Sequence, residues 1–408
     1  MIAISRTDTS LLGHWWWTVD RWSLGALGLL MSIGVVLVVA AAPAAGERIG
    51  LEAFYLAERQ LIFLPLAVAT ILGVSLLSPR WVRRLGVLGF AGGVGLLVLT
   101  LVVGTEINGA TRWLTLAGLS VQPSEFVKPC LAIATAWMIA AQQRGHPVPG
   151  NLIAGAFLAV TVGLLLLQPD VGQSIVVMLV WGVQLFVAGV PMIWLGALGA
   201  VGVLGLAGAY LSLDHVRERI DTFLSPGTQG NYQVQQSLEA FQNGGLLGAG
   251  PGEGEVKAHL PDAHADFIFA VAGEEFGALA CLVIIGLFAF VVLRGLSRVV
   301  TESNPFVLLA TTGLLAQFGL QACVNMASTL NLVPTKGMTL PFISYGGSSL
   351  LAMALGMGML LALTRRRVAT GDDLWRRRRG GGSSLRRAAP AGTCFLPGRW
   401  RASSWRAA

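Results

Sequence analysis

The stretch Asp262-Ala263-His264-Ala265-Asp266-Phe267 gathers three titratable groups where a polar segment gives way to an apolar run. That run, from Phe267 to Leu293, is broken only by Glu274 and Glu275. A carboxylate at the mouth of a membrane helix loses hydration and must be satisfied by protein, a cation or a substrate. Asp266 and His264 are therefore candidate functional groups. Asp266 would serve equally as an N-cap, a role Asp favours.

A second constellation is Gln122-Pro123-Ser124-Glu125-Phe126-Val127-Lys128. Pro suits a helix start, where its missing N–H would be unpaired anyway. Glu125 and Lys128 are i,i+3 and can meet on one face. An ion pair at membrane depth is expensive and faces the bundle interior. It either cross-links helices or lines a polar cavity and leaves a cation for an anionic group, with Gln122 and Ser124 as further polar contacts. Upstream, Arg112 sits beside Trp113, and an Arg fork binds two phosphate oxygens at once. A third constellation, Pro334 to Ser349, holds two Pro, paired Gly and three Ser, with Lys336 as its sole charge and Ser344 near its centre. It reads as irregular backbone at membrane depth, which is tolerated only where protein or a watery cavity satisfies it.

These groups need a frame, and composition says which. The chain has 408 residues, 54% hydrophobic and 12% charged, with mean hydropathy +0.69; soluble domains carry about 25% charged residues. The chain is an all-α polytopic membrane protein. Ten apolar runs approach the ~20 residues a bilayer needs, at about 23–45, 60–78, 85–104, 124–142, 151–167, 171–189, 191–211, 267–294, 306–328 and 344–364. Short-loop cations fall on one face if there are ten spans: Arg6, Arg21, Arg80, Arg83, Arg84, Arg144, Arg294, Arg298 and the Arg-rich tail. Positive-inside counting then makes both termini cytoplasmic. Ala42-Pro43-Ala44 mimics a signal-peptidase site, but the run before it is too long for a signal peptide, so an uncleaved anchor is expected. Trp15, Trp16, Trp17 and Trp22 suit an interfacial belt.

From Arg365 onward, twelve Arg against Asp372 and Asp373 give +10, which leaves −3 of the total +7 for the rest. The basic balance thus belongs to a tail beside anionic lipid and does not imply nucleic acid. Cys130, Cys281, Cys323 and Cys394 form no metal-like or disulfide spacing. The long external loop between the seventh and eighth spans, 212–266, carries eight acids against Arg217, Arg219 and Lys257. Loops of that length are usually functional or disordered, and this one is neither low-complexity nor uniformly polar. Residues 232–241 read as an amphipathic helix. The Gly run from Gly244 to Gly254 lacks phosphate-loop spacing and reads as turns folding the loop back over the membrane.

Five segments in this order resemble the SEDS family (shape, elongation, division and sporulation): 109–113, 122–128, Gln168-Pro169-Asp170-Val171-Gly172, 232–257 with 260–275, and 334–349. Pro334-Thr335-Lys336-Gly337 and the following Leu-Pro-Phe-Ile-Ser-Tyr-Gly-Gly-Ser-Ser are more similar to its division branch than to its elongation branch. The resemblance divides the chain into a cytoplasmic segment 1–22, a ten-helix glycosyltransferase domain 23–367 and a tail 368–408 expected to be disordered. It implies a peptidoglycan glycosyltransferase that polymerises lipid II into β-1,4-linked strands at the septum, on the outer face of the cytoplasmic (inner) membrane. Asp266 falls where the family's proposed catalytic Asp lies and is the expected general base. Here Asp262 replaces the commoner Glu before Ala-His, and Ala265 replaces a Ser or Thr. The resemblance makes Arg112, Gln122, Ser124, Glu125, Lys128, Lys257, His264, Lys336 and Ser344 the candidate substrate contacts. Among them Arg112, Lys128, Lys257 and Lys336 either bind diphosphate or build the supporting charge network. It also implies a divalent cation, Mg or Mn, near the diphosphate. Implied partners are lipid II, the growing glycan strand, a class B penicillin-binding protein, other division-machinery membrane proteins and membrane lipid. Rival classes are a lipid II flippase, which needs polar groups along its whole path, and a non-catalytic scaffold.

Overall fold

The computed structural model describes residues 10–50, 52–107, 110–116, 119–224, 232–334 and 337–365. Lys336 and the tail 368–408 lie outside them. Thirteen helices are described, in chain order α1 (Leu11–Thr18), α2 (Arg21–Ile49), α3 (Tyr55–Ser75), α4 (Pro79–Val103), α5 (Pro123–Gln143), α6 (Gly150–Leu167), α7 (Val171–Val187), α8 (Met192–Ser212), α9 (Asp214–Leu224), α10 (Tyr232–Gly244), α11 (Ile268–Val299), α12 (Pro305–Thr329) and α13 (Gly347–Leu363). Eight of these (α2–α6, α8, α11 and α12) are long and apolar enough to cross a membrane, and α7 and α13 are shorter apolar helices. Together they match the ten expected spans one for one. At 1.5 Å per residue a 17-residue helix reaches only about 26 Å. α13 is prefaced by the buried irregular segment 338–344, where Met338, Leu340, Phe342 and Ile343 are all buried.

α5 is the central post. In its apolar window 83% of residues are buried, against 0% for α8, which stands at the periphery. The reason is in the side chains. Ala132, Ala134, Ala136 and Ala140 let neighbours approach. On α4, Gly86, Gly89 and Gly93 lie directly against Ile133, Cys130 and Val127 of α5. Small residues spaced in this way let membrane helices pack backbone to backbone.

Three features were not expected from the sequence. Between α4 and α5 the chain forms an antiparallel meander, β1 (Thr105–Ile107), β2 (Ala110–Leu116) and β3 (Leu119–Val121). The polar segment after α8 begins with a second amphipathic helix, α9, ahead of the expected one at α10. At the end of the bundle away from this segment, α1 folds back on the helices. Trp15 Nε1 donates to Ser75 Oγ at 2.9 Å. The Asp20 carboxylate accepts from Arg294 Nε at 2.8 Å and pairs with Arg298 at 3.0 Å. Burial pushes the Asp20 carboxyl up, but the bonds from Arg294 and Ser23 and the charge of Arg298 outweigh it and hold it below the usual range. Arg365 Nε completes the cluster on Thr18 Oγ1 at 3.1 Å.

α11 is broken at Gly277, whose φ of 75° and ψ of −179° are open only to glycine. A break at membrane depth orphans backbone groups, and the Gly-rich run repairs it. Ala249 N donates to Glu274 O at 2.9 Å and Gly250 N to Glu275 O at 3.1 Å, while Ala278 N and Leu279 N donate to Gly245 O and Leu246 O at 3.0 and 3.3 Å. A Cβ at Gly248 would overlap the Glu275 carbonyl. The run does fold back as turns, and it does so as a backbone splint across the break.

Candidate functional site

The three constellations converge at the end of the bundle that carries the 214–266 segment. Asp262 O accepts the amides of Asp266 at 3.0 Å and Phe267 at 3.3 Å, so Asp266 sits on a tight turn running directly into α11. The N-cap position of α11 is Phe267. The Asp266 carboxylate faces the 337–346 segment, with Oδ2 about 3.3 Å from where a Cβ on Gly337 would sit. Ser344 ties the two segments together. Its Oγ donates to Ala265 O at 2.5 Å and accepts from Leu340 N at 2.7 Å. Tyr345 N donates to His264 O at 2.9 Å, and the two rings lie 5.5 Å apart. Burial holds the His264 imidazole below its ordinary pKa, against the pull of Asp262.

Two residues that the sequence reading passed over join these loops to the Glu125–Lys128 pair. Asn325 Nδ2 donates to Asp266 O at 2.9 Å and Met338 O at 2.6 Å. One turn away, Gln321 Nε2 donates to Thr339 O at 3.1 Å, and Gln321 Oε1 accepts from Lys128 Nζ at 2.9 Å. Lys128 Nζ also reaches Glu125 Oε1 at 2.8 Å, and Gln173 Nε2 donates to the same oxygen at 2.7 Å. Gln317, Gln321 and Asn325 repeat every four residues on α12, a one-face spacing that was legible as a polar stripe. Gln122 contributes its backbone N–H to Ser348 Oγ at 3.2 Å, and Ser124 is buried at the start of α5.

The candidate cations divide by their contacts. Lys128 and Lys257 are buried. Lys257 Nζ bonds to Glu275 and, at 3.1 Å, to Gly252 O. Arg112 keeps a quarter of its side chain exposed, 4.0 Å from Asp170. It donates to Gln168 O at 3.2 Å and Pro169 O at 2.5 Å, linking β2 to the α6–α7 turn. Burial raises the Asp170 carboxyl pKa, and Arg112 draws it back.

The polar groups run deeper than the sequence suggested. Below Lys128, Thr135 Oγ1 donates to Gln184 Oε1 at 2.8 Å, and Gln184 Nε2 reaches Ala132 O at 2.7 Å. Lys128, Thr135, Gln184 and Gln317 line a cavity of about 10 Å³. That is room for about one water.

A ten-helix apolar bundle with a loop-walled polar site at one end defines an integral membrane protein. The family model for FtsW, RodA and SpoVE, described as cell cycle protein, matches residues 21–368, and the chain belongs to this family, the SEDS proteins. It is 47% identical over 366 residues to the "Probable peptidoglycan glycosyltransferase FtsW" of Caulobacter vibrioides, covering 90% of this chain and 94% of that one. It is 34% identical to the protein of the same description from Geobacter sulfurreducens, covering 85% and 96%. Among solved structures it resembles a chain of a peptidoglycan synthase complex that coordinates polymerization and crosslinking, with TM-score 0.71, 29% identity, and 85% and 97% coverage. It also resembles the rod shape determining protein RodA of Thermus thermophilus, with TM-score 0.62, 28% identity, and 86% and 97% coverage.

Proposed function

We propose that this chain is a peptidoglycan glycosyltransferase that polymerises lipid II into β-1,4-linked glycan strands during septal wall synthesis, with Asp266 as general base. The observation that carries this reading is the placement of the Asp266 carboxylate. It is offered between two clamped loops at the rim of the bundle, over a cation-bearing buried network. An axial diphosphate donor giving a β-1,4 link requires inversion, hence one base and no covalent intermediate, by analogy with inverting hydrolases. Asp266 takes the proton of the attacking sugar 4-hydroxyl as the C–O bond forms, and the diphosphate leaves with the electron pair. Arg112, partly exposed, and Lys336, which precedes Gly337 in the sequence, are the cations assigned to the diphosphate. Lys128 and Lys257, spent on Glu125 and Glu275, hold the walls. Glu125 Oε2, Gln173 Oε1 and Asn325 Oδ1 are buried acceptors without a partner, groups that water or a polar ligand satisfies. Gln122, Ser124, His264 and Ser344 shape the same rim.

Among the described residues no three His, Cys, Asp or Glu side chains converge on a metal position. Among those residues the donor set builds no resident metal site. A divalent cation such as Mg or Mn would arrive held by the diphosphate oxygens, as Mg commonly is, and no step is assigned to it.

The test is polymerisation of purified lipid II by purified protein, alone and with a class B penicillin-binding protein. Polymer lengthening with time supports the reading; substrate left unchanged in both preparations sinks it. Orientation is tested separately. In a background lacking native cysteines, single cysteines at Gly230 and Arg83 should label with an impermeant maleimide from opposite sides of the membrane, outside and inside respectively. Labelling of both from one side would refute the topology with cytoplasmic termini. The septal assignment predicts enrichment of a fluorescent fusion at midcell. Uniform lateral signal, with round cells on depletion, would place the chain in the elongation branch.

A further inference from the structure

The break in α11 isolates a short segment, residues 268–276, from the 22 residues that follow it. Asp266 travels with this segment, since its turn is continuous with the first helical bonds: Ala270 N and Val271 N both donate to Phe267 O. One edge of the unit is held by Asn325 and Ser344 through the carbonyls of Asp266 and Ala265. The other edge is held by the 245–258 loop. There the Glu274 carboxylate accepts the amides of Val256 at 2.7 Å and Lys257 at 3.0 Å. Lys257 Nζ in turn pairs with Glu275, whose side chain is fully buried. Two adjacent acids inside an apolar helix are costly to keep. Both are used to fasten one loop, at the point where the helix has been cut free.

We infer that Lys257 and Glu275 are positioning residues for the transfer reaction. By docking the glycine-rich loop onto the broken helix, they fix where the short segment places Asp266. The inference rests on Asp266 being the base. The loop splint supplies the missing helical bonds on both sides of the break, and the ion pair ties that loop to the short segment, so together they select one placement. Misplacing a catalytic group by about 1 Å costs up to ~10²-fold in rate.

The experiment uses the full chain bound to its transpeptidase partner, with lipid II polymerisation and hydrogen exchange as readouts. Lys257→Met/Glu275→Gln removes both charges together, so no buried charge is left unpaired. The expected result is kcat lowered about tenfold or more, with KM for lipid II nearly unchanged, faster exchange at amides 268–276, and a near-normal rate for Lys257→Arg. Wild-type kcat in the double variant overturns the inference. So does a loss confined to KM, which would make Lys257 a substrate contact. If the double variant does not assemble, Glu274→Gln weakens the same clamp without touching the ion pair. It should lower kcat in the same direction, and faster exchange at 268–276 with wild-type kcat overturns the inference. Asp266→Asn is run alongside. A normal rate in that variant removes the base assignment itself, an outcome separate from failure of the positioning pair.

Discussion

Asp266→Asn in the purified, partner-bound protein should slow lipid II polymerisation at least ~10²-fold, while insertion and partner binding stay intact. The substitution keeps size and hydrogen-bonding capacity and removes the charge and nearly all the basicity. Asn caps helices about as well as Asp, so a capping residue would tolerate it; here the cap position belongs to Phe267. Asp262→Asn is the matched control. Asp262 is exposed and has a φ of 52°, a conformation Asn adopts as readily as Asp. Its loss should change the rate only a few-fold, well short of the ~10²-fold expected of a general base. Polymer measured on gels over time separates the two, and near-normal synthesis by Asp266→Asn would end the assignment.

Lys128→Met should instead act on the fold. Lys128 and Glu125 have side chains 2% and 5% exposed, and Gln321 Oε1 depends on the same ammonium. Removing one partner strands a buried carboxylate, which costs about 3–5 kcal/mol. The detergent-purified variant should therefore melt well below wild type. Glu125→Gln/Lys128→Met, neutral on both sides, should recover most of that loss, because a buried pair is often replaceable when both charges go together. A single variant melting within a degree of wild type would show that the pair is hydrated and that the network does not hold the site.

What could be read from the sequence follows the strength of each local signal. The ten spans were legible because a bilayer demands long unbroken apolar runs, and their centres match the helices; α2 extends to Arg21–Ile49 where the run reads 23–45. The Asp262–Asp266 cluster and the Glu125–Lys128 pair stood out because charge at membrane depth is rare. Asn325 and Gln321 did not, because single amides in an apolar helix carry no charge signal; only their four-residue repeat gives them away. The β1–β2 hairpin had a signal in the Asn108-Gly109 pair, a strong hairpin dipeptide, masked by the short strands and apolar flanks. Asp20 was hidden among Arg and Trp, and its partner Arg294 lies 274 residues on. The purpose of the glycine run was not readable either. Its bonds go to a helix break that only Gly277 hints at.

That separation of Asp20 from Arg294 sets an order on biosynthesis. At roughly 5–20 residues per second, a ribosome needs on the order of 15–55 s to make the intervening chain. During that interval the first membrane helix is inserted while its carboxylate waits for arginines not yet made. The amino-terminal segment can meet Ser75 through Trp15 early, but its Asp20 latch stays open as the chain emerges. That latch closes only after the eighth span has entered the bilayer, so this corner of the fold is sealed from the last third of the chain backward.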